Sequence, residues 1–342
     1  MAARLAEQAK GDGLALVRIA RLAAAKDGAL ARRLAREARA AAPGDEQVRV
    51  LAADVLAQDV ARWHFTIVND EARNAAYDGA IRAAVTPGAR VLDIGAGSGL
   101  LAMMAARAGA GAVTSCEMKP AIAEAAAGIV AANGYGDRIK VVAKHSQAVD
   151  AVADMGGPAD VLVSETISND VVSQGWLAAL EDARARLLKP GAAIIPARTI
   201  ARVALGFDAQ LNRERMGDVD GFNLSGFNEL GARRYQIRGE SDRLTLRSAP
   251  ADLFDFDFQA GTEFPEASAS VAVTAGGGPV NGVVQWIAIG LDEDHWYENA
   301  PGKSACWAPL FTPLAGVIEP APGTRLTISG AHDRRRMHVW LG

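Results

Sequence analysis

Cysteine is scarce in this 342-residue chain: Cys116 and Cys306 are the two it has, too few for a disulfide framework and without the paired spacing of a zinc site. That excludes a small cross-linked secreted scaffold, suits a reducing compartment and leaves no expected metal. Surplus positive charge is lacking as well. Thirty-six Lys and Arg stand against 40 Asp and Glu, a net charge of -4, so nucleic acid is not the expected partner, because phosphate binding needs a cationic footprint. Long uncharged apolar runs are also missing near the start. The segment MAARLAEQAKGDGLALVRIARLAAAKDG interrupts its apolar stretches with Lys, Arg or Asp, and offers neither a signal-peptide core nor a membrane span. A cytoplasmic protein without a membrane partner is expected.

What is present points to a folded body. Half the residues are hydrophobic and 22% are charged, which excludes a disordered solvating chain and a coiled coil. The length suits two globular domains or one with a substantial appendage. Residues 1–60 are alanine-rich with helical spacing: Leu30, Leu34 and Ala38 share a face, and Pro43-Gly44-Asp45 ends one helix before Val48, Leu51 and Val55 begin the next. This predicts a helical hairpin resembling one tetratricopeptide-type pair, read as a collar on the next domain or as a docking module for a partner; arrays of that kind need about three units. Arg32, Arg36 and Arg39 share a helix face and read as solvated surface.

From about 87 to 197 short apolar strands alternate with helical stretches (ARVLDI, SGLLAMMAARAG, AVTSCE, KPAIAEAAAGIVAAN, RIKVVA, DVLVSE), the pattern of a doubly wound parallel sheet. Beyond Pro196 come short alternating segments such as RLTLRS, LFDFDF and SVAVTA, broken by Gly, Pro and Asn or Asp, which predict antiparallel strands closing a barrel or sandwich. The expected fold is therefore α/β: a helical extension (1–60), a doubly wound domain (61–197) and an antiparallel β-barrel (198–342).

The strongest motif is Val91-Leu92-Asp93-Ile94-Gly95-Ala96-Gly97-Ser98-Gly99, a strand running into a glycine-rich turn that opens a helix. Glycines admit a ligand close to the backbone. A dinucleotide fingerprint would be GxGxxG with a pyrophosphate on the helix N-terminus; here the spacing is GxGxG behind an acid, Asp93, which favours a ligand without phosphates such as S-adenosylmethionine (SAM). Glu117, 22 residues after Gly95 at the end of the second strand, suits the ribose hydroxyls.

Together with DEARNAAYDGAIRAAV, NGYGDRIKVVAKHSQAV, VLVSETISNDVVSQG and GFNLSGFNEL, these residues resemble the protein arginine methyltransferases, especially the monomethylating type III members, over roughly four fifths of the chain. The resemblance implies a SAM-dependent methyltransferase acting on a protein or peptide side chain. It implies that Arg73 pairs with the methionine carboxylate of SAM, that His64 lies on a helix closing over the cofactor, that Gly95, Gly97 and Gly99 line the methionine moiety, that Glu117 takes the ribose, and that Ser146 and Gln147 take the adenine edge. His64 and Gln147 read equally as a packing and a surface residue. The segment at about 215–240 sits where the family carries a dimerisation arm, which implies a homodimer; Phe222, Leu224, Phe227 and Leu230 would be its apolar side, or would close the barrel.

The sequence departs from the family at two places. Glu165 supplies the first of two glutamates expected nine residues apart, but the second position is Gln174, and the expected Thr-His-Trp turn reads Ala305-Cys306-Trp307. A sulfonium and a guanidinium facing one carboxylate leave net +1; one uncompensated charge at about 4 Å and an effective dielectric of about 20 is worth about 4 kcal/mol, roughly three decades of rate. Four readings follow: Asp170 turns inward as the substitute carboxylate, Gln174 with its neutral amide recognises a less charged acceptor, the chain is a SAM-binding scaffold with impaired catalysis, or it is a methyltransferase acting on a ribosomal protein or a small molecule. Trp307, with Cys306 beside it as a small filler, is placed at the substrate mouth.

Overall fold

The computed structural model describes residues 2–58, 60–231, 234–237 and 243–342. Helices α1 (Ala2–Gln8), α2 (Gly13–Ala23), α3 (Gly28–Ala41) and α4 (Glu46–Ala57) open it. The expected hairpin, α3 with α4, is present, but α1 and α2 precede it. Their boundaries come from acids: the side chains of Asp12, Asp27 and Asp45 each accept the third backbone N–H of the helix they begin, the N-cap bond worth about 1 kcal/mol. Leu16, Val17 and Ala20 of α2, Ala31, Leu34 and Ala38 of α3 and Val48, Ala52 and Val55 of α4 bury one another in a cluster separate from the main core. The arginine stripe is not simply solvated. Arg32 lies 3.6 Å from Glu124 and Arg36 also pairs with it, tying the extension to the next domain.

Two further helices, α5 (Trp63–Ile67) and α6 (Glu71–Ala84), lead into the alternating region: β1 (Arg90–Ile94), α7 (Leu100–Arg107), β2 (Ala112–Cys116), α8 (Pro120–Ala132), β3 (Ile139–Val142), β4 (Ala159–Ser164), α9 (Trp176–Arg186) and β5 (Leu188–Ile195). The strands form one sheet in the order β3-β2-β1-β4-β5, every pair parallel. The chain runs outward from β1 to β3 and then returns to lay β4 on the other side of β1. A cleft opens where the winding reverses, at the C-terminal ends of β1 and β4, which is where open α/β sheets hold ligands.

The second half is antiparallel: β6 (Arg198–Asp208), β7 (Asp218–Val219), β8 (Phe222–Asn223), β9 (Tyr235–Gln236), β10 (Leu244–Leu246), β11 (Ala251–Asp257), β12 (Ala267–Thr274), β13 (Val280–Gly290), β14 (Trp296–Glu298), β15 (Leu310–Ile318), β16 (Arg325–His332) and β17 (Met337–Leu341), with α10 (Ala209–Glu214) after β6. One sheet runs β10-β6-β13-β15-β9, with β11 on β6 and β14 on β13, and a second runs β12-β16-β17. Strand β13 is buried along its whole length because its faces serve two cores. Val283, Ile287 and Ile289 join the main core, while Val284 and Trp286 pack with Phe311 and Ile237 on the other side. The main core is continuous from Val91 and Leu162 of the parallel sheet to Val283 and Met337 of the barrel, so the two halves share one apolar interior and the seam between them is held by packing.

The arm segment stands out from this body. An Asp-Gly pair, Asp220 (φ 50°) and Gly221 (φ 83°), turns β7 into β8 as a two-residue hairpin loop whose residues both need positive φ. Phe222 is 71% exposed, Phe227 60% and Leu230 76%; none of them closes the barrel. Residues 232–233 and 238–240 of this segment lie outside the described residues. Among the described residues no helix is long and apolar enough to cross a membrane.

Candidate active site

The glycine turn owes its shape to bonds from the neighbouring strand end. Gly95 and Ala96 both donate their backbone N–H to the Cys116 carbonyl, at 2.9 and 3.0 Å, and Gly95, Gly97 and Gly99 all have positive φ (89°, 52° and 81°). A Cβ on Gly95 would stand 2.6 Å from Thr166 Cγ2, so an L-residue fails there on space as well as on φ. Gly97 has nothing nearer to its missing Cβ than a carbonyl oxygen at 3.9 Å, which leaves the backbone open to a ligand. Glu117 stands beside the turn, accepting from Gly97 N at 3.3 Å and from Lys119 N at 2.9 Å.

Across the cleft, α6 starts at Asp70, whose Oδ1 accepts the backbone N–H of Arg73 at 2.9 Å. That cap holds Arg73 at the first turn of the helix, where it is 3% exposed. Its guanidinium reaches Glu165 Oε2 at 3.0 Å, donates to Asn74 Oδ1 at 2.7 Å and lies over the Tyr77 ring at 4.7 Å. Glu165 directly follows β4, and its backbone is steadied by the Tyr77 hydroxyl, which donates to the Ser164 carbonyl at 3.0 Å. Among the described residues three buried polar atoms at this end of the sheet have no partner: Arg73 Nε, Glu165 Oε1 and Asp93 Oδ1. The donor on the Arg73 cation and the Asp93 acceptor complement a ligand carrying both a carboxylate and cationic N–H groups. Free buried polar atoms of this kind cost about 1–3 kcal/mol each until something meets them. The donor set fits SAM.

Burial pushes Glu165 up to about 7, with Arg73 opposing and the charges of Asp70 and Asp93 adding to the rise. Asp93 is pushed up to about 6, also chiefly by burial, against a hydrogen bond from Ser115 Oγ at 2.6 Å. Folding therefore takes up a proton at Glu165 between its ordinary value of 4.5 and about 7, so stability contributed at this site is present at low pH and lost as pH rises through that window. The ligand-free Glu165→Gln protein should accordingly show a flatter melting-temperature profile than wild type between about pH 5 and 7.5; parallel profiles would show that the acid ionises as freely folded as unfolded.

The other predicted residues divide. Ser146 is buried, and Gln147 exposed, on a short 3-10 turn after β3, beside the strand end that carries Glu117. His64 stacks on Trp63 with ring centroids 3.7 Å apart; burial holds it below the usual imidazole value against the opposing charge of Glu117. Trp307 is buried edge-on against Tyr297. Cys306 is pushed up to about 12 by burial, despite a hydrogen bond with Tyr297, with Glu165 and Asp70 adding to the rise, so it is a protonated filler.

Asp170 and Gln174 do not join them. The Asp170 carboxylate is buried and committed: Oδ2 takes Arg234 Nη2 at 3.0 Å, and Oδ1 takes Ser168 Oγ at 2.7 Å and Ser173 N at 3.1 Å. Arg234 also donates to the Met337 carbonyl at 2.8 Å, so this acid knots the loop onto the barrel and braces Val171 between them, a buried β-branched residue at φ 67°, where strain persists only if its surroundings impose it. Asp170 is thus a clamp on the loop that carries Glu165, and its two oxygens are not turned to an acceptor. Gln174 is exposed, directly ahead of the helix cap Gly175.

Two residues escaped the sequence reading. Asp70 Oδ2 accepts the Cys306 N–H at 2.8 Å and the hydroxyl of Tyr297, bonding α6 to the barrel. The Asp-x-x-Arg spacing signalled the cap; Tyr297 carried no signal. A cavity of about 810 Å³, lined by Asp70, Glu71, Cys306, Trp307, Lys303 and Ile237 among others, opens at this seam and not over the glycine turn.

The comparisons bear on the family and the fold. The model of the ribosomal protein L11 methyltransferase (PrmA) family matches residues 79–201, the parallel-sheet half. An arginine N(omega)-methyltransferase of Streptomyces achromogenes subsp. streptozoticus is 36% identical over 270 residues, covering 77% of this chain and 74% of that one. A protein arginine N-methyltransferase 7 of Oryza sativa subsp. indica is 32% identical over 263 residues, 70% of this chain; the chain spans 36% of that relative's length. In fold the chain is similar to the Trypanosoma brucei PRMT1 enzyme-prozyme complex with AdoHcy, with a TM-score of 0.69 at 22% identity, covering 78% of this chain and 86% of that one. It is also similar to Arabidopsis thaliana protein arginine methyltransferase 10, with a TM-score of 0.68 at 19% identity and coverages of 81% and 90%. With the parallel sheet, glycine turn and antiparallel barrel in place, the identity over most of both chains decides the matter: this protein is a SAM-dependent methyltransferase of the arginine methyltransferase family.

Proposed function

We propose that the protein transfers a methyl group from SAM to a terminal guanidino nitrogen of arginine presented in a protein or peptide. The observation that carries this is Glu165, a buried carboxylate at the sheet's switch point with one oxygen on Arg73 and the other unpartnered. Arg73, the glycine turn, Glu117, Ser146 and Gln147 would hold the cofactor, with His64 beside them. When bound there, SAM supplies an electrophilic methyl on a sulfonium. Glu165 Oε1 accepts an N–H of the acceptor and aims its nitrogen, which is what an in-line displacement needs. As the N–C bond forms, that nitrogen must shed a proton. A carboxylate raised to about 7 is better matched to receive it than an ordinary one. Trp307 and Cys306 wall the acceptor's approach.

The proposed domain limits are 1–60, 61–197 and 198–342; the apolar cluster that closes within the helical extension supports the first of them. The reading is tested with labelled SAM, arginine peptides and free arginine, followed by acid hydrolysis and product analysis. Nω-methylarginine from the peptides supports it; label in free arginine alone moves the acceptor to the amino acid; no methylated guanidine in either leaves a SAM-binding scaffold. The exposed arm, with Phe222, Phe227 and Leu230 uncovered, supports a homodimer. Light scattering at micromolar concentration should return twice the chain mass, and a single-chain mass would count against it.

A further inference from the structure

The helical extension carries a charge opposite to that of the rest of the chain. Residues 1–58 hold ten Lys and Arg against seven Asp and Glu, while residues 59–342 hold 26 against 33, so a positive appendage is fixed to a negative body. Part of that surplus is gathered in one place. A groove of about 370 Å³ opens where α3 turns into α4, lined by Arg36, Arg39 and Arg49 together with Ala40, Ala42 and Pro43. Three of its six lining residues are cations and none is an acid. The acids nearby are already engaged. Glu124 of α8 is shared: Arg36 bonds it, Arg32 stands 3.6 Å away, and Arg32 Nε is buried with no hydrogen-bond partner among the described residues. Glu46 takes Arg49 at 2.6 Å, Glu37 stands 3.7 Å from Arg33, and Asp45 caps α4. Arg39 is exposed and has no hydrogen-bond or ion-pair partner among the described residues.

We propose that this groove is a docking site for an acidic segment of a partner protein, a run of Asp and Glu whose carboxylates pair with Arg39 and share Arg36 and Arg49. A guanidinium is a planar fork that matches a carboxylate bidentately, and like charges lining one concavity attract an anion that relieves them. A peptide fits better than a nucleic acid. The rest of the lining, Ala40, Ala42 and Pro43, is apolar and suits the side-chain stems and backbone of an extended peptide. A phosphate backbone needs a longer cationic track, and beyond this groove it would run over a body with surplus acid. The placement gives the site a consequence. Glu124 lies on α8, which starts three residues after Glu117, and Arg36 moors the extension on that helix. A partner captured in the groove is therefore held against the parallel-sheet half.

The test uses the full-length protein and three fluorescent probes: a peptide of alternating Asp and Glu, its all-lysine counterpart and a single-stranded oligonucleotide of matched length. Anisotropy should rise with the acidic peptide and not with the lysine peptide, and the binding should weaken as salt is raised, because the contacts are exposed charges. Arg39→Glu reverses the cation that has no partner and breaks no ion pair of the fold. Its affinity for the acidic peptide should fall about tenfold, a lost attraction compounded by a new repulsion, with melting temperature and AdoHcy affinity unchanged. Neither peptide contains arginine, so the result is independent of which acceptor is methylated. Wild-type affinity in Arg39→Glu would put the peptide elsewhere and overturn the proposal. An acidic peptide that leaves anisotropy flat would overturn it as well, and so would tighter binding of the oligonucleotide, the mark of a nucleic-acid contact. If Arg39→Glu does not fold, Arg39→Gln decides: it keeps the length and loses the charge, a loss of about threefold supports the site, and unchanged affinity refutes it.

Discussion

Glu165→Gln should lower the rate of methyl transfer by about three decades while the protein still folds and binds AdoHcy. The substitution is nearly isosteric and leaves an amide oxygen for Arg73, but it removes the negative charge at the point where the acceptor nitrogen must be held. One charge contact at about 4 Å in an effective dielectric of about 20 is worth about 4 kcal/mol, and each 1.36 kcal/mol is about a factor of ten in rate. Turnover with labelled SAM, read beside calorimetric AdoHcy binding, checks this. A variant within tenfold of wild type would mean that Glu165 only anchors Arg73 and that another group orients the acceptor.

Arg73→Leu should act on both stability and cofactor. It removes the cation from a pair in which both side chains are almost wholly enclosed, and breaking such a pair costs about 3–5 kcal/mol because the surviving charge is left without a partner. The survivor here can escape by taking a proton. Glu165 already sits near 7 with Arg73 beside it, and without that cation it rises further, so the melting-temperature deficit should be larger at pH 8 than at pH 6. The double variant with Glu165→Gln should recover part of the loss, the signature of coupled neighbours. Cofactor affinity should fall by about two decades, as expected when a charge-assisted bond to a carboxylate is lost. Titration with AdoHcy and thermal melts at the two pH values measure it. An equal deficit at both would show that Glu165 stays ionised without its partner.

Much of the fold was legible because its determinants are local. The strand-to-helix alternation from 87 to 197, the Gly95-Ala96-Gly97-Ser98-Gly99 turn and the acid at Glu117 each follow from spacing within a few tens of residues, and the structure places the turn and the acid together at the C-terminal ends of β1 and β2. Asp12 and Asp27 were equally local signals: both are helix caps, and weighing them would have divided the N-terminal segment into more than one helix pair. Strand β13 could be read as a strand, but not as one buried on both sides, because that depends on which sheets end up facing it.

The site shows the same division more sharply. The sequence by itself determined the glycine turn and the acid beside it, since such a turn needs positive φ and Glu117 needs a strand end, and both are properties of short segments. Only the tertiary structure decided the surroundings of Asp70 and Asp170. Asp70, Tyr297 and Cys306 are separated by 227 and 9 residues at their hydrogen bonds, and Asp170 is withdrawn from the acceptor by Arg234, 64 residues away. A carboxylate's role depends on which donors reach it first. Where those donors come from another domain, no pattern along the chain records their arrival.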